Sequence, residues 1–214
     1  YWASEQTGDP RFADAAKAHV MQAARYLIRE DASTFHTYYM DVATGAPRYG
    51  NTQQGYADDS CWSRGQAWGI YGFLLSYIFT GDETMIALSK RLANYFLNRL
   101  PEDYVCHWDL ALVGTDALRD SSSAAIAVCG LLELVKHLPV TDPDRERYLE
   151  WAKGIMSSLT KHYLMGKEEK GNGLLKHSVY HLASNKGVDE CASWGDHFYV
   201  EALVRFTQSW KLYW

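Results

Sequence analysis

Residues 121–134 read SSSAAIAVCGLLEL, nearly four turns of helix that are apolar or small on every side. A helix without a polar face is buried by neighbours on both sides. Residues 64–79 and 195 to about 212 have the same character, and the first run continues as a helix over 122–138. Between these lie runs of a different kind. Phe12, Ala16, Val20, Ala23 and Leu27 recur at helical spacing. So do Ile86, Leu92, Tyr95, Phe96 and Leu100, and then Tyr148, Ala152, Ile155 and Leu159. Each set places its apolar groups on one face. Every amphipathic run follows similar punctuation: TGDP at 7–10, TGDE at 80–83 and TDPD at 141–144. A glycine there can end one helix in the left-handed conformation, an Asp can cap the next, and proline is tolerated in a first turn. An inner layer of buried helices inside an outer layer of amphipathic ones predicts an all-α fold, a toroidal α/α barrel.

The 214 residues suffice for one domain with a real core, and 47% apolar against 22% charged is an ordinary globular balance. Aromatic residues are in excess, with 15 Tyr, 8 Trp and 7 Phe. Most such rings serve the core, although Trp and Tyr also build sugar-stacking clefts. A net charge of −5 without a basic run excludes a phosphate-binding surface for nucleic acid. The longest apolar stretch, 67–79, is interrupted by Gly69, Gly72 and Ser76 and is too short to span a membrane. Cys61, Cys106, Cys129 and Cys191 are far apart and read as reduced thiols of a cytoplasmic protein. Neither they nor the scattered histidines support a metal, and no cofactor is implied. The opening YWASEQTGDP begins without Met and reads as the end of a helix, with Tyr1 and Trp2 as core side chains. This predicts a piece of a longer protein.

The connectors from outer to inner helices, 30–62, 101–121 and 165–194, are long and polar, which is uncommon unless they are functional. They would gather at one end and form a cleft rich in Tyr, His, Asp and Trp. HTYYMD at 36–41 alternates as a strand and predicts a hairpin around ATGAP at 43–47. The inner helix at 64–79 enters from this end, with Ser63 as its expected N-cap. Arg64 then sits in a first turn, where the helix dipole disfavours a cation. A residue placed against local preference is a candidate for function. Trp68 shares its face. An Arg fork can take a carboxylate while an indole stacks on the body of the same ligand. Equally open at this point is an Arg64 paired with Asp58 or Asp59, and a Trp68 that is simply core.

Three segments carry a resemblance: HTYYMDVATGAPRYGNTQQGYADDSCWSRGQAWGIYGF (36–73), DSSSAAIAVCGLLEL (120–134) and GVDECASWGDHFYVEAL (187–203). They resemble the unsaturated glucuronyl hydrolases, over nearly the whole chain. The resemblance implies an (α/α)6 barrel of six helical hairpins, of which residues 1–214 would be a single domain holding roughly the last four. It implies removal of the unsaturated uronic acid that lyases leave at the non-reducing end of oligosaccharides. There an aspartate protonates a vinyl-ether double bond and activates water, unlike the usual two-carboxylate scheme. It assigns substrate binding to His36, Gln54, Arg64 and Trp68, with Arg64 and Trp68 holding the uronate. Ser184 and Lys186 match members that accept sulfated fragments.

Departures accompany the match. The catalytic aspartate of the family would lie upstream of Tyr1, so no catalytic residue is expected in this chain, which alone would be inactive. Asp58 and Asp59 read as loop caps, Asp120 as a helix N-cap and Asp196 as an inner-helix contact. Gln53, His181 and His197 stand where His, Ser and Tyr are usual. A sister unsaturated rhamnogalacturonyl hydrolase would carry Asn-Gly in place of Gln66-Ala67. A catalytically inactive sugar-binding module is the reading from another class. Expected partners are unsaturated uronate oligosaccharides, and either further copies of the chain or an N-terminal half covering its apolar seam.

Overall fold

The computed structural model describes residues 1–209 and 212. Among them are seven α-helices: α1 (Trp2–Thr7), α2 (Arg11–Tyr26), α3 (Ser63–Thr80), α4 (Glu83–Leu97), α5 (Ser121–His137), α6 (Pro143–Ser158) and α7 (Ser193–Thr207). Two antiparallel hairpins, β1 (Thr37–Met40) with β2 (Pro47–Asn51) and β3 (Ser178–His181) with β4 (Lys186–Glu190), lie in the connectors.

Helix α5 is the centre of the packing. Thirteen of its 17 residues are buried, and it meets α3, α6 and α7, as its lack of a polar face requires. Gly130 lets α3 approach closely, since a Cβ there would stand 2.8 Å from Ile70 Cγ2 and 3.3 Å from the Tyr71 nitrogen. The amphipathic α4 buries Met85, Ile86, Ser89, Leu92, Ala93, Phe96 and Leu97, a single face, and packs on α3. The inner row α3, α5, α7 and the outer helices α4 and α6 therefore follow the expected two layers. Helix α2 differs: none of its residues is fully buried, and only Val20, Ala23 and Ala24 touch the core in part.

The punctuation works as its chemistry dictates. Gly8 (φ 72°) and Gly81 (φ 66°) end α1 and α3 in the left-handed region. Asp82 and Asp142 cap α4 and α6 by accepting from the Thr84 and Asp144 amides. The first hairpin forms where expected, its turn held by the Asp41 carboxylate accepting from the Ala43 and Thr44 amides.

Three expectations need correction. Ser63 does not cap α3: it lies inside the helix behind Trp62, and its hydroxyl donates to the Trp108 carbonyl at 3.0 Å. Helix α7 ends at Thr207, because Gln208 turns extended (φ −154°), and residues 210 and 211 lie outside the described residues. Trp2 is no core residue at 54% exposure, whereas Tyr1 stacks on Phe79 at 5.2 Å. The β3–β4 hairpin was not foreseen within connector 165–194. No helix among the described residues is long and apolar enough to cross a membrane. Cys61, Cys106 and Cys129 are free and buried, and burial pushes the Cys61 thiol up to about 11.

Candidate functional site

The loop-rich end brings together the starts of α3 and α5, the first hairpin and the second. Arg64 is 3% exposed. Its Nη1 donates to Asp120 Oδ2 at 2.8 Å, to Ser122 Oγ at 3.1 Å and to the Val179 carbonyl at 3.0 Å. Its Nη2 donates to the Tyr180 carbonyl at 3.1 Å. The guanidinium lies between the Trp62 and Trp194 rings, 4.7 and 5.2 Å from their centroids. Its ion partner is thus Asp120, not Asp58 or Asp59. Burial lowers the Arg64 pKa and the Asp120 charge opposes that shift. No acceptor engages Arg64 Nε among the described residues.

Asp120 caps α5 as expected and does more than cap. Oδ1 accepts from the Ser122 amide and hydroxyl, and Oδ2 from Ser123 Oγ and Arg64. A carboxylate with no exposure needs such complete pairing.

Gln54 reaches the same carbonyl as Arg64: its Nε2 donates to Tyr180 O at 2.7 Å. His36 joins through the backbone, Nδ1 accepting from the Gln53 and Gln54 amides at 2.9 and 3.1 Å. Two donors at Nδ1 place the ring proton on Nε2. Burial, and then the charges of Arg64 and His181, hold the His36 pKa below its ordinary value. The ring is therefore a neutral Nε2–H donor. It rests against Trp62 with ring centroids 4.3 Å apart.

His36, Trp62, Gly65 and Trp68 line a cavity of about 680 Å³ between α2 and α3. Trp68 is 38% exposed and meets Phe198 edge-on at 5.2 Å, so it is cavity wall and not core. Arg64 turns inward to Asp120, while Trp68, one turn on, faces the cavity.

Ser184 and Lys186 stand apart on the exposed β3–β4 turn. Ser184 Oγ donates to the His181 carbonyl at 3.4 Å, and Lys186 is the register partner of His181. They belong to the hairpin whose Tyr180 carbonyl receives Gln54 and Arg64, and they touch neither residue. Among the other aspartates, Asp58 caps the Thr52 amide and Asp196 accepts from the Leu174 and Leu175 amides. The sequence reading missed Asp109, buried and accepting from the Tyr56 and Cys61 amides and Ser60 Oγ, which fixes the loop before α3. It also missed Trp62, Trp194 and Tyr180. Among the described residues, no group of His, Cys, Asp and Glu is arranged to hold a metal ion.

No family model matches the chain. The chain is 49% identical to the unsaturated chondroitin disaccharide hydrolase of Streptococcus pneumoniae, covering all of this chain and 54% of that protein. The crystal structure of unsaturated glucuronyl hydrolase from Streptococcus agalactiae superposes with a TM-score of 0.95 at 49% identity, over 99% of this chain and 54% of that one. A mutant of the same enzyme complexed with dGlcA-GalNAc6S gives a TM-score of 0.91, again at 49% identity, over 99% of this chain and 56% of that one. The chain spans about half the length of the curated relatives it matches.

Proposed function

The chain is homologous along its whole length to the unsaturated glucuronyl hydrolases, and on that premise we propose that it is part of an enzyme removing a Δ4,5-unsaturated uronic acid from the non-reducing end of oligosaccharides. The observation that carries the reading is the convergence of His36, Gln54 and Arg64 on one bonded network beside an indole-walled cavity.

In this reading the described helices are roughly the last four hairpins of an (α/α)6 toroid, and residues 1–214 are one domain. Trp68 supplies the flat face for the sugar ring. His36 offers Nε2–H to a substrate oxygen. Arg64 offers only what its internal bonds leave, Nε–H and one Nη2 hydrogen, to the uronate carboxylate. A donor held this rigidly reorganises little when charge develops on the ligand. As the family resemblance implies, the general acid and base is an aspartate outside these residues; Asp58, Asp120 and Asp196 are engaged as caps or ion partners. Vinyl-ether hydration then follows: the acid protonates C4, water adds at C5, and the hemiketal opens to release the remaining sugar. Ser184 and Lys186, on a turn carried by the same hairpin, face a sulfate on the neighbouring sugar. The free buried thiols support a reducing compartment, and we place the enzyme in the cytoplasm.

The test is loss of ultraviolet absorbance from an unsaturated chondroitin disaccharide, followed with a full-length parent containing this chain. Turnover is expected, and Arg64→Ala should lower kcat/KM on the order of a hundredfold or more. Binding without turnover by the full-length parent would favour an inactive sugar-binding module instead. Lys186→Ala should lower the ratio of sulfated to unsulfated substrate turnover, and an unchanged ratio would remove Lys186 from the site.

A further inference from the structure

Away from that network, the connector before α5 and the outer face of α6 build a second concave surface. Tyr104 has φ 65°, a left-handed conformation that bulky side chains avoid. A turn holds it there, with the Tyr104 amide donating to the Pro101 carbonyl at 3.0 Å. Its ring is laid over Gly154 of α6, where an added Cβ would stand 2.8 Å from Tyr104 Cε1. Glycine inside a helix is disfavoured against alanine. Gly154 and the left-handed Tyr104 are thus two departures from local preference that serve one ring placement. Trp151, one turn back on α6, meets the Tyr104 ring edge-on at 5.3 Å. The preceding residue, Asp103, accepts from Tyr163 Oη and Arg119 Nε, so the connector is anchored on both sides.

The placement leaves Tyr104 41% exposed. With Glu150, Trp151, Lys153 and Gly154 it lines a groove of about 450 Å³. Glu150 and Lys153 form an exposed ion pair at 2.7 Å, so the lip offers a donor and an acceptor with no net charge. A rigid aromatic face beside balanced polar groups matches a pyranose ring, whose axial hydrogens make an apolar face and whose hydroxyls both donate and accept. The balance of charge favours a neutral sugar over a uronate.

We propose that Tyr104, Trp151 and the Glu150–Lys153 pair form a surface subsite for a neutral pyranose unit of an oligosaccharide. It shares no residue with the cavity lined by His36 and Trp68. The ligand class rests on the function proposed above.

The experiment titrates the full-length parent with a saturated, unsulfated chondroitin hexasaccharide, which lacks the double bond, while indole N–H resonances are followed by NMR. The Trp151 resonance is identified by its loss in Trp151→Phe. It should shift saturably, and Tyr104→Leu should weaken that binding at least fivefold. An unmoved Trp151 resonance, or equal affinity in Tyr104→Leu, overturns the subsite. Should Tyr104→Leu fail to fold, Glu150→Ala, at an exposed position, is expected to weaken binding at least twofold, and unchanged affinity overturns it likewise. In the full-length parent, Tyr104→Leu should leave turnover of the unsaturated disaccharide unchanged. Turnover with no binding here sinks this inference alone, and binding here without turnover sinks only the proposed reaction.

Discussion

Drawing a guanidinium out of water requires partners on all its faces, and Arg64 finds them in Asp120, two hairpin carbonyls and two indoles. Removing one partner leaves the other charge buried and alone. Asp120→Asn should therefore lower unfolding free energy by about 3–5 kcal/mol, read from urea midpoints at constant m-value, and wild-type stability would refute the pairing. His36 gives a second test at this scale. Its pKa is lowered by burial, then by Arg64 and His181, so the unfolded chain takes up its proton first as pH falls. The stability held by neutral His36 is complete above about pH 6.5 and is lost as pH falls from there through the depressed folded value. The stability difference between wild type and His36→Gln should narrow between pH 7.5 and pH 5, and a constant difference would contradict the assignment. Arg64 was legible as an anomaly, a cation in a first helical turn. Its partner was not, being 56 residues away, and main-chain oxygens such as Tyr180 O leave no mark on side-chain identity.

Helices α3 and α5 were readable to within one residue at each end, because a run without a polar face has only one stable environment. The hairpin β3–β4 was hidden for the opposite reason. Its strands are four and five residues long, its turn depends on Asn185 at φ 51°, and no apolar alternation marks it. Two glycines separate packing from propensity in this inner layer. Gly130→Ala must push against Ile70 and the α3 backbone, and should destabilise by about 1–3 kcal/mol despite better helix propensity. Gly72→Ala meets nothing within 4 Å and should stabilise by about 0.5–1 kcal/mol. Thermal unfolding of the two variants checks both, and shifts of the same sign would mean that α3 and α5 do not approach as described.

Apolar side chains stay uncovered on three helices: Phe12 and Met21 on α2, Trp68 on α3, and Val200, Leu203 and Phe206 on α7. Uncovered patches of this kind promote association. Light scattering should show the 214-residue chain self-associating as its concentration rises, and Phe12→Glu with Phe206→Glu should suppress it. A monodisperse wild type at high concentration would sink that expectation. The helix types in the sequence marked which helices are buried but could not say that α2 would stand off, which depends on what packs against it. The Tyr180 carbonyl carries a last consequence, one of time. Its two donors, Arg64 and Gln54, precede it by 116 and 126 residues, whereas the α3–α4 packing links neighbours in the chain. Closing so long a loop is entropically slow, and local helix pairs form first. During synthesis the cleft can be finished only after the second hairpin has emerged. In refolding, helical signal and core burial should return before the second hairpin docks on Arg64 and Gln54.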